Sequence, residues 1–349
     1  MCYTGTGVAR YVFGLTKALL LSGSSHKFLL YAGVFRQRAF FKNLSRTKPW
    51  NNASWRLLPL PPKIAGLTLN LFPIRVEWLV GKVDLIHASD WVEPSSKYPS
   101  VTTIHDLVFK KYPHTVDPFI LKTQARRLAK IVKTQSQIIA DSMSTKKDLM
   151  KIYGLKGDRI EVIYPGIDDI YKPQPKKEID RVKNKYNLPN QYIFSLGTQE
   201  PRKNVARLVE AVSTLDLPLV VAGRHGWGDK TQTIGFVPDS DLPALYSGAS
   251  VFAFPSLYEG FGFPALEAMA CGTPVVTSDI SSLPEVAGKA AVLVDPASVD
   301  SIRAGIKLAL KNRDDLIRSG IKQAKKFTWE QCAKQVLEVY DKVIENCKS

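Results

Sequence analysis

Four cysteines in 349 residues, Cys2, Cys271, Cys332 and Cys347, are too few and too irregularly spaced for a disulfide framework or a thiolate metal site. Such usage fits a reducing cytoplasm, where the sequons at Asn43 and Asn52 are chance matches. No apolar run approaches the roughly 20 residues that span a bilayer. The apolar start, Met1 to Ser25, is broken by Arg10 and Lys17. Its Val8, Tyr11, Val12, Leu15, Ala18 and Leu19 follow helical spacing, which argues against a secretion signal. Clustered carboxylates with metal-ligand spacing, internal repeats and low-complexity tracts are also lacking. Most telling, no acidic residue occurs before Glu77.

That gap is one side of a lopsided charge. The chain carries 48 Lys+Arg against 32 Asp+Glu, a net of +16. Residues 1–175 hold 26 against 12, a net of +14, and the remainder 22 against 20. In the acid-free stretch Arg36, Arg38, Lys42, Arg46, Lys48 and Arg56 interleave with Phe35, Phe40, Phe41, Trp50 and Trp55. A basic and aromatic surface suits an anionic membrane, with aromatics at the interface and cations drawn to phosphate. The plainer alternative is a solvated basic face. Nucleic acid would respond to the same charge, but no nucleic-acid motif accompanies it, so none is expected as a partner.

Hydrophobic content of 45% and charged content of 23% describe a soluble globular chain, long enough for two domains. Short runs rich in Val, Ile, Leu and Phe alternate with helical stretches, which predicts α/β domains with parallel sheets. Strands are expected at residues 27–32, 83–87, 101–104, 137–140 and 159–163. A second series is expected at 192–196, 218–222, 233–236, 251–254, 275–277 and 291–293. Helices are expected at 9–21, 118–134, 144–153, 205–214 and 328–345. The proline-punctuated Lys172-Pro173-Gln174-Pro175-Lys176-Lys177 reads as a linker. The expected division is a domain over 1–172, a second over 173–327, and a final helix over 328–349.

The chemistry concentrates in one run, from Phe254-Pro255-Ser256-Leu257-Tyr258-Glu259-Gly260-Phe261-Gly262-Phe263-Pro264 to Glu267 and Pro274. A short strand passes through a glycine loop into a helix, with Pro264 fitting a first helical position. Gly260 and Gly262 permit a sharp turn and close approach of a ligand. The free amides of the first helical turn favour an anion such as a diphosphate. Glu259 in the loop and Glu267 one turn into the helix add two carboxylates for hydroxyls. A nucleotide-sugar offers both kinds of group. Lys203 and Arg202 supply cations where they oppose a helix dipole, which points to an anion nearby. His105 follows a buried strand, where ligand-contacting residues sit in open α/β sheets.

Taken with Thr103-Ile104-His105-Asp106-Leu107, Ala140-Asp141-Ser142-Met143-Ser144, Tyr164-Pro165-Gly166, Gly197-Thr198-Gln199-Glu200-Pro201-Arg202-Lys203-Asn204, Gly235-Phe236-Val237-Pro238 and Pro284-Glu285-Val286, this run resembles the retaining glycosyltransferases of the GT-B fold. The large bacterial mannosyltransferase and glucosyltransferase family is meant. The resemblance implies two Rossmann-like domains facing a cleft, the first acceptor-binding and the second donor-binding, with the last helix returning to the first. It implies metal-independent transfer from a nucleoside-diphosphate sugar, GDP-mannose favoured, to a glycan or lipid-linked acceptor at the cytoplasmic membrane face. No cofactor is needed beyond that donor substrate.

By the same resemblance Lys203 holds the diphosphate, with Arg202 as a second cation and Thr198 where many relatives carry arginine. Glu259 contacts the donor sugar, Glu267 the ribose, and the backbone near Val237 the base. Gly5 and Gly7, Gly260, Phe261 and Gly262 line the donor. His105 bonds the donor sugar or acceptor, with Asp106 as its orienting neighbour. Relatives open with a strand before Gly5-Thr6-Gly7, so the resemblance implies a natural start upstream of Met1. They also carry a helix between Gly223 and Gly235 for which this chain leaves little room. An epimerase on the same architecture and a non-catalytic relative are the alternatives.

Overall fold

The computed structural model describes residues 7–34, 37–58, 75–89, 92–197, 200–223 and 231–347. Gly5, Thr198 and the segment expected to lack a helix, 224–230, lie outside the described residues, as does the start of the chain before Gly7. The chain divides into two compact units, Met1–Gly166 with Thr328–Ser349, and Ile167–Phe327.

In the first unit the described strands are all parallel. β1 (Leu29–Gly33) pairs with β2 (Ser54–Leu58), and β3 (Ile86–Ser89), β4 (Ser100–Ile104), β5 (Gln137–Ala140) and β6 (Ile160–Val162) pair in that order. Every residue of Val101–Ile104 is buried, because helices cover the sheet and parallel strands then read as unbroken apolar or small-polar runs. The helix Pro118–Lys133 is capped by Asp117 and packs Leu128 and Ile131 against Ile104, Ile138 and Ala140. The final helix, Trp329–Asn346, lies against the first, Gly7–Leu21. Gly14 makes this approach possible: a Cβ there would stand 2.1 Å from the Trp329 ring.

Among the described residues the second unit has one six-stranded parallel sheet. Its strands are β7 (Ile193–Leu196), β8 (Leu219–Ala222), β9 (Thr231–Thr233), β10 (Val251–Phe254), β11 (Val275–Ser278) and β12 (Val292–Val294), in the order β12-β11-β10-β7-β8-β9. β7, β8 and β9 wind one way and β10, β11 and β12 the other, the doubly wound pattern. Phe252 and Phe254 face one apolar layer with Phe194 and Tyr246, while Val251 and Ala253 face the other with Ile193 and Val221.

Several elements differ from expectation. A helix, Lys176–Lys185, begins at the end of the polar segment read as a linker, and in it only Val182 is buried. Arg181 and Lys185 hold it to Asp241 at 2.9 and 2.5 Å, a tertiary support that no local pattern announces. β2 and the helices Leu242–Gly248, Val299–Lys311 and Arg313–Ala324 were not foreseen. β9 ends at Thr233, earlier than expected, and Gly235 then makes an isolated bridge with Gly223. The aromatic surface expected in the basic stretch is partly internal: Phe41 and Trp50 are buried, and the half-buried Trp55 donates from Nε1 to the Trp50 carbonyl at 2.9 Å, while Phe35 and Arg36 lie outside the described residues. Phe40 is exposed, as are Arg38, Lys42, Arg46, Lys48 and Arg56. Among the described residues no helix is long and apolar enough to cross a membrane.

Candidate active site

In a doubly wound sheet the crevice lies outside the carboxyl ends of the two central strands, where the winding reverses. Here those strands are β7 and β10. The loop after β7 carries the turn Pro201–Lys203 and ends at Asn204 in the left-handed region, φ 60°. Asn204 Nδ2 donates to the Pro255 and Pro296 carbonyls at 2.9 and 2.7 Å, and Leu257 N donates to the Arg202 carbonyl at 2.7 Å. These bonds fasten the two loops together.

The fastening brings the expected residues into contact. Lys203 Nζ lies 2.8 Å from Glu259 Oε1, and Arg202 Nη1 lies 3.2 Å from Glu259 Oε2. Arg202 Nε also pairs with Glu200 at 2.7 Å, and its Nη1 donates to the Tyr258 carbonyl. Lys203 Nζ stands over the Phe254 ring at 5.0 Å. Burial pushes the Lys203 ammonium below its ordinary pKa, against the opposing pull of Glu259. For Glu259 burial would raise the pKa, but Lys203 and Arg202 outweigh it and hold the carboxyl ionised. The result is a buried carboxylate under two cations, a set that an incoming diphosphate can re-pair.

Beyond Glu259 the loop is braced from β11's side of the sheet. Ser281 Oγ and Ser282 Oγ donate to the Glu259 carbonyl at 2.6 and 2.9 Å, and Ser281 itself has φ 62°. Gly262, φ 110°, precedes the helix Phe263–Ala270, and a Cβ there would meet Leu283 Cδ2 at 2.7 Å. Pro264 is the second helical residue, one place later than expected. Glu267 is buried and its Oε2 accepts from Tyr246 OH at 2.9 Å. Phe261 is buried, edge-on to Phe263 and Phe327. Gly260 lies in the loop between Glu259 and the helix; Val237 is buried beyond the Gly223–Gly235 bridge, next to a Phe236 that is 82% exposed.

His105 belongs to the other unit, one residue past the end of β4. Its Nδ1 lies 2.6 Å from Asp141 Oδ2 and its Nε2 lies 3.3 Å from Ser89 Oγ. The close bond at Nδ1 comes from Asp141, not from the Asp106 expected to orient the ring; Asp106 Oδ1 accepts from Val108 N at 2.8 Å. His87 is a packing residue. Burial lowers its pKa to about 4, and its ring nitrogens meet Tyr340 OH at 2.6 Å and Thr103 Oγ1 at 2.8 Å. Gly7 is the exposed first residue of the opening helix. Among the described residues no three His, Cys, Asp or Glu side chains are grouped to hold a metal. Sequence reasoning missed Asn204, Ser281, Ser282 and the pairing of Asp141; the Asn after Arg202-Lys203 was the one available signal.

Known proteins resemble this chain along both of its units. The model for Glycosyl transferases group 1 matches residues 176–327 and that for Glycosyltransferase Family 4 matches residues 5–170. The O-antigen chain mannosyltransferase B of Escherichia coli is 32% identical over 369 aligned positions, covering 97% of this chain and 96% of that protein. A serotype-specific mannosyltransferase WbdA of Escherichia coli is 31% identical over 72% of this chain, which spans 35% of that longer protein. Among solved structures, sucrose-phosphate synthase from Thermosynechococcus elongatus superposes with a TM-score of 0.75 at 21% identity, covering 98% and 94% of the two chains. That likeness shows a shared GT-B fold. With both halves matched by the family's models and a relative aligned along nearly its whole length, the chain belongs to the group 1 glycosyltransferases and is a glycosyltransferase.

Proposed function

We propose that this glycosyltransferase moves mannose from GDP-mannose, with retention of configuration and without a divalent metal, onto a mannose-bearing glycan or lipid-linked acceptor of an O-antigen-type polysaccharide. The observation that carries this reading is the Lys203–Glu259–Arg202 cluster at the carboxyl ends of β7 and β10. In it Lys203 and Arg202 meet the donor diphosphate and stabilise the charge that grows on it as the sugar leaves. Glu259, released from its cations by the phosphates, turns its carboxylate to the sugar hydroxyls. Glu267 takes the ribose, the backbone at Val237 the base, and Gly260, Phe261 and Gly262 let the donor approach the amides of the helix Phe263–Ala270. Gly5, Gly7 and Thr198 are assigned to the same donor site. His105 serves the transfer through a hydrogen bond to the donor sugar or the acceptor. The choice of mannose is supported by the names of the Escherichia coli relatives.

The exposed cations Arg38, Lys42, Arg46 and Lys48 would draw an anionic lipid-linked acceptor, at the inner face of the membrane. A sugar-nucleotide epimerase has no counterpart among the relatives named above. The reading is tested by incubating the protein with GDP-[14C]mannose and an octyl dimannoside, with and without EDTA, and determining the anomeric configuration of the product. Transfer that survives EDTA and yields an α-linked product is expected. No incorporation from GDP-mannose, loss of transfer in EDTA, or a β-linked product would overturn the proposal.

A further inference from the structure

The parallel register of the first unit sets His105 beside Asp141. Ile104 of β4 pairs with Ala140 of β5, so the next residue of each strand leaves the sheet at the same level. On the other side Ser89, the last residue of β3, pairs with Thr103. Three neighbouring strand ends thus deliver Ser89, His105 and Asp141 to one place. The side chains of His105 and Asp141 are 10% and 4% exposed, so their 2.6 Å bond is shielded from water. Tyr11 closes the ring in from the side, edge-on with centroids 4.7 Å apart.

Asp141 carries a cost that folding alone does not explain. Its Oδ1 is buried and, among the described residues, has no hydrogen-bond partner. A buried carboxylate oxygen left without a partner costs stability, which marks Asp141 as a residue kept for what it does to His105. A carboxylate can only accept, so the Nδ1 of His105 must carry the proton. In the neutral ring the bond at one nitrogen fixes the state of the other. Nε2, 3.3 Å from Ser89 Oγ, then keeps its lone pair.

We infer that Asp141 is a positioning residue that locks His105 in the Nδ1–H tautomer, so that Nε2 presents itself to a sugar hydroxyl as an acceptor. This rests on the role of His105 proposed above. Ser89, whose Oγ stands 3.3 Å from Nε2, holds the place that the sugar hydroxyl takes.

The test is a double-mutant cycle on the full chain with GDP-[14C]mannose and octyl dimannoside as probes, joined to a 15N spectrum of the His105 ring. Asp141→Ala is expected to lower kcat/KM by about 10- to 100-fold, as loss of a partner that orients a functional histidine does. In a His105→Ala background the same change should cost less than about two-fold, because Asp141 acts only through the ring. The ring spectrum should show Nε2 unprotonated in the wild type and a tautomer mixture in the variant. Asp141→Asn, nearly isosteric, carries the same coupling test should the alanine protein not fold. Equal losses in both backgrounds, or a wild-type ring that carries a proton on Nε2, would overturn the inference. Wild-type transfer by His105→Ala would instead remove His105 from the reaction, and the ring spectrum would then decide on Asp141 by itself.

Discussion

Lys203 Nζ stands 2.8 Å from Glu259 Oε1, and through this contact the loop after β7 is electrostatically closed onto the loop after β10. The two residues are far apart in sequence and meet because the winding of the sheet reverses between their strands. Each is the other's counter-ion, and the proposed function has a diphosphate re-pair them. The pair is a structural joint, and the functional role proposed for it separates from that by experiment.

Removing one partner should hurt more than removing both. Lys203→Ala leaves the buried Glu259 with Arg202 alone, at an expected cost of about 2–4 kcal/mol, since breaking one side of a buried pair strands a charge. Lys203→Met combined with Glu259→Gln should recover most of that loss. Urea unfolding of these proteins and of the Lys203→Met and Glu259→Gln single variants checks it; additive losses would show that the pair is not coupled.

Glu259→Gln separates sugar handling from diphosphate binding. Neutralising the carboxylate leaves Lys203 and Arg202 in place for the phosphates, so GDP affinity should hold or rise. Transfer to an octyl dimannoside should fall by about 100- to 1,000-fold, the scale for losing one transition-state contact. Unchanged turnover would take Glu259 out of the reaction.

Asp241 gives the second unit a pH-dependent clamp. Burial opposes its charge, but Lys185, Arg181 and Tyr186 prevail and hold its pKa down to about 2 from an ordinary 3.8. A lowered carboxylate pKa stabilises the fold above the ordinary value, and that stability is lost as pH falls from 3.8 through about 2. The contribution is at most about 2 kcal/mol, reduced by solvent around the half-exposed Arg181 and Lys185. Asp241→Asn should lower stability at neutral pH and flatten the acid-unfolding curve over that window. An unchanged curve would show the clamp to be idle.

Gly14→Ala should loosen the final helix. The added methyl meets the Trp329 ring at 2.1 Å, so the two helices must part, at about 1–3 kcal/mol. Hydrogen exchange within Trp329–Asn346 should rise while the second unit stays as protected as before. Uniform destabilisation of both units would contradict this.

What the sequence disclosed depended on how local its cause was. β10 could be read from Val251-Phe252-Ala253-Phe254 because a strand buried on both faces is apolar at every position. Lys203 and Glu259 could be singled out because a glycine loop and a misplaced cation are local oddities. The helix Lys176–Lys185 could not, since it is highly charged and depends on Asp241 more than fifty residues away. Asp141 escaped for the same reason: the register of β4 against β5, not its neighbours in sequence, sets it on His105. The aromatic residues of the basic stretch misled because Phe41 and Trp50 follow no surface period and pack inward.

The central claim is that Lys203 receives the donor diphosphate. Calorimetric titration of GDP into the wild-type protein and into Lys203→Gln, whose amide can still bond Glu259 and spare the fold, tests it directly. The account predicts binding by the wild type and affinity weakened by about 100-fold in the variant, the worth of one desolvated charge-assisted contact. Equal affinity in the two proteins would contradict it.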